Sequence, residues 1–164
     1  MGLVLVLATT VFVADQLTKM WALERLDATH PVVVIPDLFH LVLVMNPGVA
    51  FGIFAGVPPR WRWIVSLFSL TALALLGSLA FRILPRGSFL ARVAVGLVFG
   101  GAAGNLLDRW RHGAVVDFVD VFWRTYHWPA FNVADSAITV GVCLLAAELA
   151  VGRDPVPQRD VADA

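Results

Sequence analysis

Between Arg62 and Arg82 the chain carries no charged residue. That run, Trp63 to Phe81, constrains the fold more than any other feature. Its length suits a helix crossing a hydrocarbon layer about 30 Å thick, which needs roughly 20 residues. Three further apolar runs flank it, so spans are expected over about 3–23, 61–81, 89–108 and 133–151. The composition agrees, with 59% hydrophobic and 15% charged residues and a mean hydropathy of +0.81. A soluble domain is roughly 45–50% apolar and about 25% charged. The fold expected is a membrane α-helical one, a bundle of four transmembrane helices in a single domain over residues 1–152. The formal net charge of +0 gives no electrostatic case for a nucleic-acid partner. The one cysteine, Cys143, excludes a disulfide or a zinc cluster within the chain. It is expected to be a buried structural residue.

The first run has a signal peptide as its rival reading, but Met1-Gly2 lacks the expected basic residue. It also continues through Asp15-Gln16-Leu17-Thr18-Lys19. A retained helix is therefore expected, with Asp15 and Lys19 four apart on one face. Their pairing would make both charges tolerable in a membrane, and a substrate-facing role stands beside that reading. Residues 24–59 have a different character. Val32-Val33-Val34-Ile35 ends at the turn signal Pro36-Asp37, and Phe39 to Met45 is again strand-like. Asn46-Pro47-Gly48 and the glycines after it suggest turns or close backbone approach. A small β-segment over about 28–56, lying on the membrane surface between the first two helices, is the expectation. The third connection, 110–131, supplies Trp110, Trp123, Tyr126 and Trp128 as interfacial anchors. Residues 153–164 read as a polar tail.

Arg82, Arg86 and Arg92 make the second loop basic, which by the positive-inside bias places it and both termini in the cytoplasm. The β-segment and third connection then lie outside. Arg25, Arg60, Arg62, Arg109, Arg111 and Arg124 would be outside too, held there by acids and substrate.

Chemistry concentrates between Gly104 and Ser136, which hold Asp108, Asp117, Asp120 and Asp135 between two apolar runs. Acids so placed are expensive, and read as functional by default. His112 and His127 sit beside Trp or Arg and read as interfacial. Two carboxyl groups brought together cannot both ionise easily, so the pair serves as base and acid at once. That suits hydrolysis of a peptide bond by activated water. Physics alone does not choose the pair. Asp135 follows Asn132 by three and also fits a helix cap with an acid in the first turn. Asp117 has apolar neighbours and should be partly desolvated. Asp120 could be a more exposed partner, and Asp108 could pair with Arg109, Arg111 or His112. Two other classes remain, a proton-conducting transporter and a non-catalytic assembly factor. A relay needs ionisable groups through the bilayer depth, which the second span lacks; an assembly factor should tolerate Asp→Asn changes.

Five blocks narrow the choice. They are Asp15-Gln16-Leu17-Thr18-Lys19, Asn46-Pro47-Gly48-Val49-Ala50-Phe51-Gly52, Gly104-Asn105-Leu106-Leu107-Asp108-Arg109, Val115-Val116-Asp117-Phe118 and Phe131-Asn132-Val133-Ala134-Asp135-Ser136. In this order the chain resembles the lipoprotein signal peptidase (signal peptidase II) family. Pro47 and Val49 depart from its common pattern, which touches only local loop shape. The resemblance implies an aspartyl endopeptidase with four transmembrane helices and an extracytoplasmic β-cradle. It would cleave diacylglyceryl-modified prolipoproteins just before the lipidated cysteine, in the bacterial cytoplasmic membrane, near the outer interface. It implies Asp117 and Asp135 as the catalytic dyad. Asp15, Lys19, Asn46, Gly48, Asn105, Arg109, Asn132 and Ala134 would be the supporting or substrate-binding shell, with Asp108 a structural acid. No metal or cofactor is implied. The expected partners are the prolipoprotein substrate and membrane lipid, with the chain acting as a monomer.

Overall fold

A computed structural model describes residues 1–48, 58, 61–83 and 88–151. Four helices and four strands alternate along the chain: α1 (Gly2–Arg25), β1 (Val32–Ile35), β2 (Phe39–Asn46), α2 (Arg62–Ile83), α3 (Phe89–His112), β3 (Val115–Trp123), β4 (Tyr126–His127) and α4 (Val133–Val151). The four apolar runs are therefore all helical, and each helix exceeds its expected bounds by a few residues at most. By length and composition α1 and α3 could each cross a membrane, and α2 holds a shorter apolar stretch, Trp63–Ser78. Residues 49–56 of the expected β-segment, Arg60, Pro85-Arg86-Gly87 and the tail over 153–164 lie outside the described residues.

α3 is the central helix, packed most extensively on α4 and α1 and more lightly on α2. Small residues permit this. A Cβ on Gly101 would meet the Ala134 carbonyl oxygen of α4 at 2.5 Å, and one on Gly104 would overlap the Asp15 carboxylate of α1. The helix ends are sealed locally. Ser88 Oγ accepts from Ala91 N at 3.0 Å at the start of α3. At its end Gly113, in the left-handed region at φ 69°, returns its N–H to the Arg109 carbonyl at 3.0 Å. Both features follow ordinary capping chemistry.

The sheet is antiparallel in the order β1-β2-β3-β4. Pro36-Asp37 makes the β1–β2 turn, with Asp37 at φ 60°. β2 pairs along β3 from Phe39↔Val121 to Asn46↔Val115, with an irregularity between Leu41 and Val44. The sheet is thus not confined to the segment between α1 and α2. Half of its strands come from the connection between α3 and α4, which the sequence suggested was a loop of interfacial anchors. The pairing joins residues some 75 positions apart, and no local pattern encodes such a partner.

Burial is inverted relative to a water-soluble protein. The largest fully buried side chains are Lys19, Val116, Asn132, Asp15 and Asp117, while Leu5, Phe68 and Leu75 are 62–65% exposed. Polar groups inside and apolar groups outside is the arrangement an apolar solvent selects. Cys143 follows the same rule. It is exposed rather than buried, because its face of α4 turns away from the bundle.

Candidate active site

The C-terminal halves of α1 and α3, the N-terminus of α4 and the strands β2 and β3 meet at one end of the bundle. There Lys19 anchors a buried cluster. Its ammonium lies 2.8 Å from Asp15 Oδ2 and 2.8 Å from Asp108 Oδ2, and it donates to Asn105 Oδ1 at 2.8 Å. Its three N–H groups therefore have three acceptors. Asp15 Oδ1 accepts the Ala134 N–H at 3.0 Å, and Asp108 Oδ2 accepts the Val116 N–H at 3.2 Å. Gln16 donates to both acids, at 3.2 and 3.0 Å. One ion cluster thus ties together α1, α3, α4 and the start of β3. Breaking such a cluster by removing one member leaves an uncompensated buried charge.

Above this cluster three asparagines point their amide nitrogens at two aspartates. Asn105 Nδ2 donates to Asp135 Oδ1 at 2.8 Å. Asn132 Nδ2 donates to Asp117 Oδ1 at 2.7 Å, and Asn46 Nδ2 to Asp117 Oδ2 at 3.0 Å. Each amide is held by a donor on its carbonyl side. Lys19 holds Asn105, the Asp135 backbone N–H holds Asn132 at 2.8 Å, and the Gly48 N–H holds Asn46 at 3.0 Å. An ammonium or backbone N–H cannot accept, so no amide can turn over without losing its bond. Asn132 also stays the N-cap that the sequence suggested. Capping and site roles coexist because its oxygen serves the helix and its nitrogen serves Asp117.

Asp117 is 1% exposed. Burial pushes its carboxyl up to about 7, and the negative charge of Asp135 adds to the rise, while the amides of Asn46 and Asn132 oppose it. The charge of Asp135 thus reaches Asp117, which disfavours ionisation of both acids together. Arg109 completes the floor, donating to the Asn105 carbonyl at 3.2 Å and the Gly48 carbonyl at 2.7 Å. Its Nε is buried without a partner among the described residues. Beside these groups lies a cavity of about 610 Å³, walled by Asn46, Asn105, Arg109 and Asp135 on its polar side and by α2 residues such as Phe68 and Leu76 on the other.

All ten expected shell and dyad residues meet in this region. Gly48 and Ala134 contribute backbone rather than side chains. Asp108 lies in the ion cluster, and its basic partner there is Lys19, not Arg109, Arg111 or His112. Asp108 shares the α1-facing side of α3 with Gly104, whereas Arg109 is turned a further 100° toward Gly48. Asp120 stands apart, with both carboxylate oxygens 3.0 Å from His127 Nδ1, and His127 stacks on Phe122 at 4.6 Å. Gln16 is the bridging residue that sequence reasoning passed over. Its place one residue after Asp15, on the same side of the helix as Lys19, was the available signal. No group of three metal-ligating side chains occurs among the described residues.

The sequence pattern of the family described as signal peptidase (SPase) II matches residues 7–151. The chain belongs to the signal peptidase II family. The lipoprotein signal peptidase of Syntrophotalea carbinolica is 47% identical over 156 residues, covering 94% of this chain and 93% of that protein. That of Geobacter sulfurreducens is 46% identical over 137 residues, covering 84% of each. Among solved structures, a bacterial membrane enzyme determined by the in meso method at 2.3 Å resolution superposes with a TM-score of 0.75 at 31% identity, covering 95% of each chain. The family is one of peptidases, and the matched span contains every residue of the cluster, from Asp15 to Asp135.

Proposed function

We propose that the chain is an aspartyl endopeptidase that removes signal peptides from diacylglyceryl-modified prolipoproteins, cutting just before the lipidated cysteine. The observation that carries this reading is the pair Asp117 and Asp135, joined through Asn132 and Asn105, with the charge of Asp135 helping to hold the proton on Asp117. Two such acids share one proton near neutral pH. The ionised carboxyl takes a proton from water as its oxygen attacks the scissile carbonyl carbon. The protonated carboxyl gives its proton to the carbonyl oxygen. On collapse of the tetrahedral species, a proton passes to the departing amine of the lipidated cysteine, and the dyad returns to one proton.

The neighbouring groups suit an extended peptide. Arg109 is one of the residues that wall the cavity, and its guanidinium supplies donors for a substrate carbonyl. The apolar wall from α2 and α4 suits the signal segment. In this proposal all four helices cross the bacterial cytoplasmic membrane, both termini are cytoplasmic and the chain works as a monomer. The sheet lies at the outer surface and forms the cradle. A lipidated substrate then meets the dyad near the interface, where its anchor holds the scissile bond. The inverted burial supports the placement of the helices.

The test is incubation of the purified protein in detergent with a diacylglyceryl prolipoprotein and with its unlipidated form. The expected result is a product shortened to the lipidated cysteine from the first substrate alone. Absence of that product, or equal cleavage of both substrates, would overturn the reading.

A further inference from the structure

Lys19 lies beneath the dyad and touches neither acid of it. Its contact with Asn105 nonetheless decides what Asp135 meets. Asn105 Oδ1 receives the Lys19 ammonium at 2.8 Å and only a long contact, 3.3 Å, from Asn132. Its Nδ2 donates to Asp135 Oδ1 at 2.8 Å. An amide has two orientations of nearly equal shape. In the other one, its carbonyl would face Asp135 and suit only the protonated acid. Lys19 is 2% exposed, and an ammonium has no acceptor function, so the inverted amide would set NH2 against NH3+. The Asn132 amide has its own lock in the Asp135 backbone N–H, and that of Asn46 has the Gly48 N–H. Both of those locks are backbone. Of the three amides, the one serving Asp135 is locked by a charged side chain.

We infer that Lys19 is a positioning residue of the peptidase, locking the Asn105 amide so that its N–H faces Asp135 and favours the ionised carboxylate in the dyad. This rests on Asp117 and Asp135 being the catalytic pair. The charges facing the lock are Asp15 on its own helix, Asp108 and Arg109 on α3, Asp117 on β3 and Asp135 on α4. Asp15 and Asp108 hold the ammonium in place, on the side away from Asn105.

Removing Lys19 alone would leave Asp15 and Asp108 buried without a counter-charge, and such a variant can fail to fold. The test therefore uses the neutral triple variant Lys19→Met, Asp15→Asn, Asp108→Asn beside an equally neutral control, Asp108→Asn, that keeps the Lys19–Asp15 pair. Thermal unfolding in detergent confirms that each is folded. The triple variant should lose about 10- to 100-fold in kcat relative to the control, the range for one hydrogen bond to a charged group. The limbs of its pH–rate profile should move to higher pH, since the Asn105 amide is then free to turn its carbonyl toward Asp135 and no longer favours the ionised carboxylate. Adding Asn105→Ala to the triple variant should change little, whereas adding it to the control should produce the same loss. Unmoved limbs, or equal losses from Asn105→Ala in both backgrounds, would overturn the lock. If the triple variant does not fold, the Asn105→Ala profile decides: limbs moved upward support the lock, and a lowered rate with unmoved limbs overturns it. The dyad reading fails separately, if Asp117→Asn or Asp135→Asn retains cleavage.

Discussion

Replacing Asp117 by asparagine should have an effect on stability that changes sign with pH. The carboxyl rises from its ordinary 3.8 to about 7, chiefly through burial. Between those values the unfolded chain has released the proton and the folded protein still holds it. Folding therefore becomes less favourable as pH rises from about 3.8, and the loss is complete once the pH passes about 7. At about 1.4 kcal/mol for each tenfold change in proton affinity, the wild type forfeits about 4 kcal/mol over that window. The substituted amide does not titrate, so the variant escapes this loss. It has a cost of its own. Asp117 accepts from Asn132 at 2.7 Å on one oxygen and from Asn46 at 3.0 Å on the other, and an amide has a single oxygen. One donor then faces NH2, at about 1–3 kcal/mol for an unsatisfied buried group. The variant should therefore be less stable than wild type at about pH 4 and more stable at about pH 8, by roughly 1–3 kcal/mol in each direction. Thermal unfolding in detergent across that range reads it, since a chain of this size moves by about 2–4 °C per kcal/mol. A difference in melting temperature that does not vary with pH would refute the argument, because it would mean that Asp117 titrates normally in the folded protein.

Three further outcomes follow from the same geometry. Cleavage should decline as pH rises above about 7, because the pair then loses its last shared proton; a rate still climbing at about pH 9 with lipidated substrate would contradict this. Gly104→Ala places a methyl group against the Asp15 carboxylate, so α1 and α3 must part, and stability should fall by about 1–3 kcal/mol, read as a lowered melting temperature. His127→Ala and Asp120→Asn disrupt a pair outside the dyad network, and each should leave cleavage within about twofold of wild type, since neither side chain bonds to Asp117, Asp135 or their asparagines.

The helices were legible in the sequence because each apolar run is local and long enough to stand out. Asp15 and Lys19 were legible as a pair because four residues separate them on one helix. The third partner, Asp108, was not, since its contact with Lys19 crosses from α1 to α3 and the sequence offered nearer basic residues. The same reason hid β3. Its pairing with β2 is non-local, and the acids at Asp117 and Asp120 interrupt an otherwise strand-like run. They do so for different purposes. Asp117 turns toward Asn46 and Asn132, while Asp120 pairs with His127. Choosing Asp117 and Asp135 from four aspartates needed the family's motifs. Geometry supplies the physical distinction, because of those four these two receive the locked asparagine amides. Cys143 defeats a rule suited to water-soluble proteins, that apolar means buried, because the apolar face of this chain points outward.

The most direct measurement is cleavage of a diacylglyceryl prolipoprotein by Asp117→Asn and by Asp135→Asn, each purified in detergent and shown to be folded. The account predicts that neither variant releases the signal peptide at a detectable rate, since each leaves the other acid without its partner for proton exchange. Near-wild-type release by either one would contradict the assignment of the dyad.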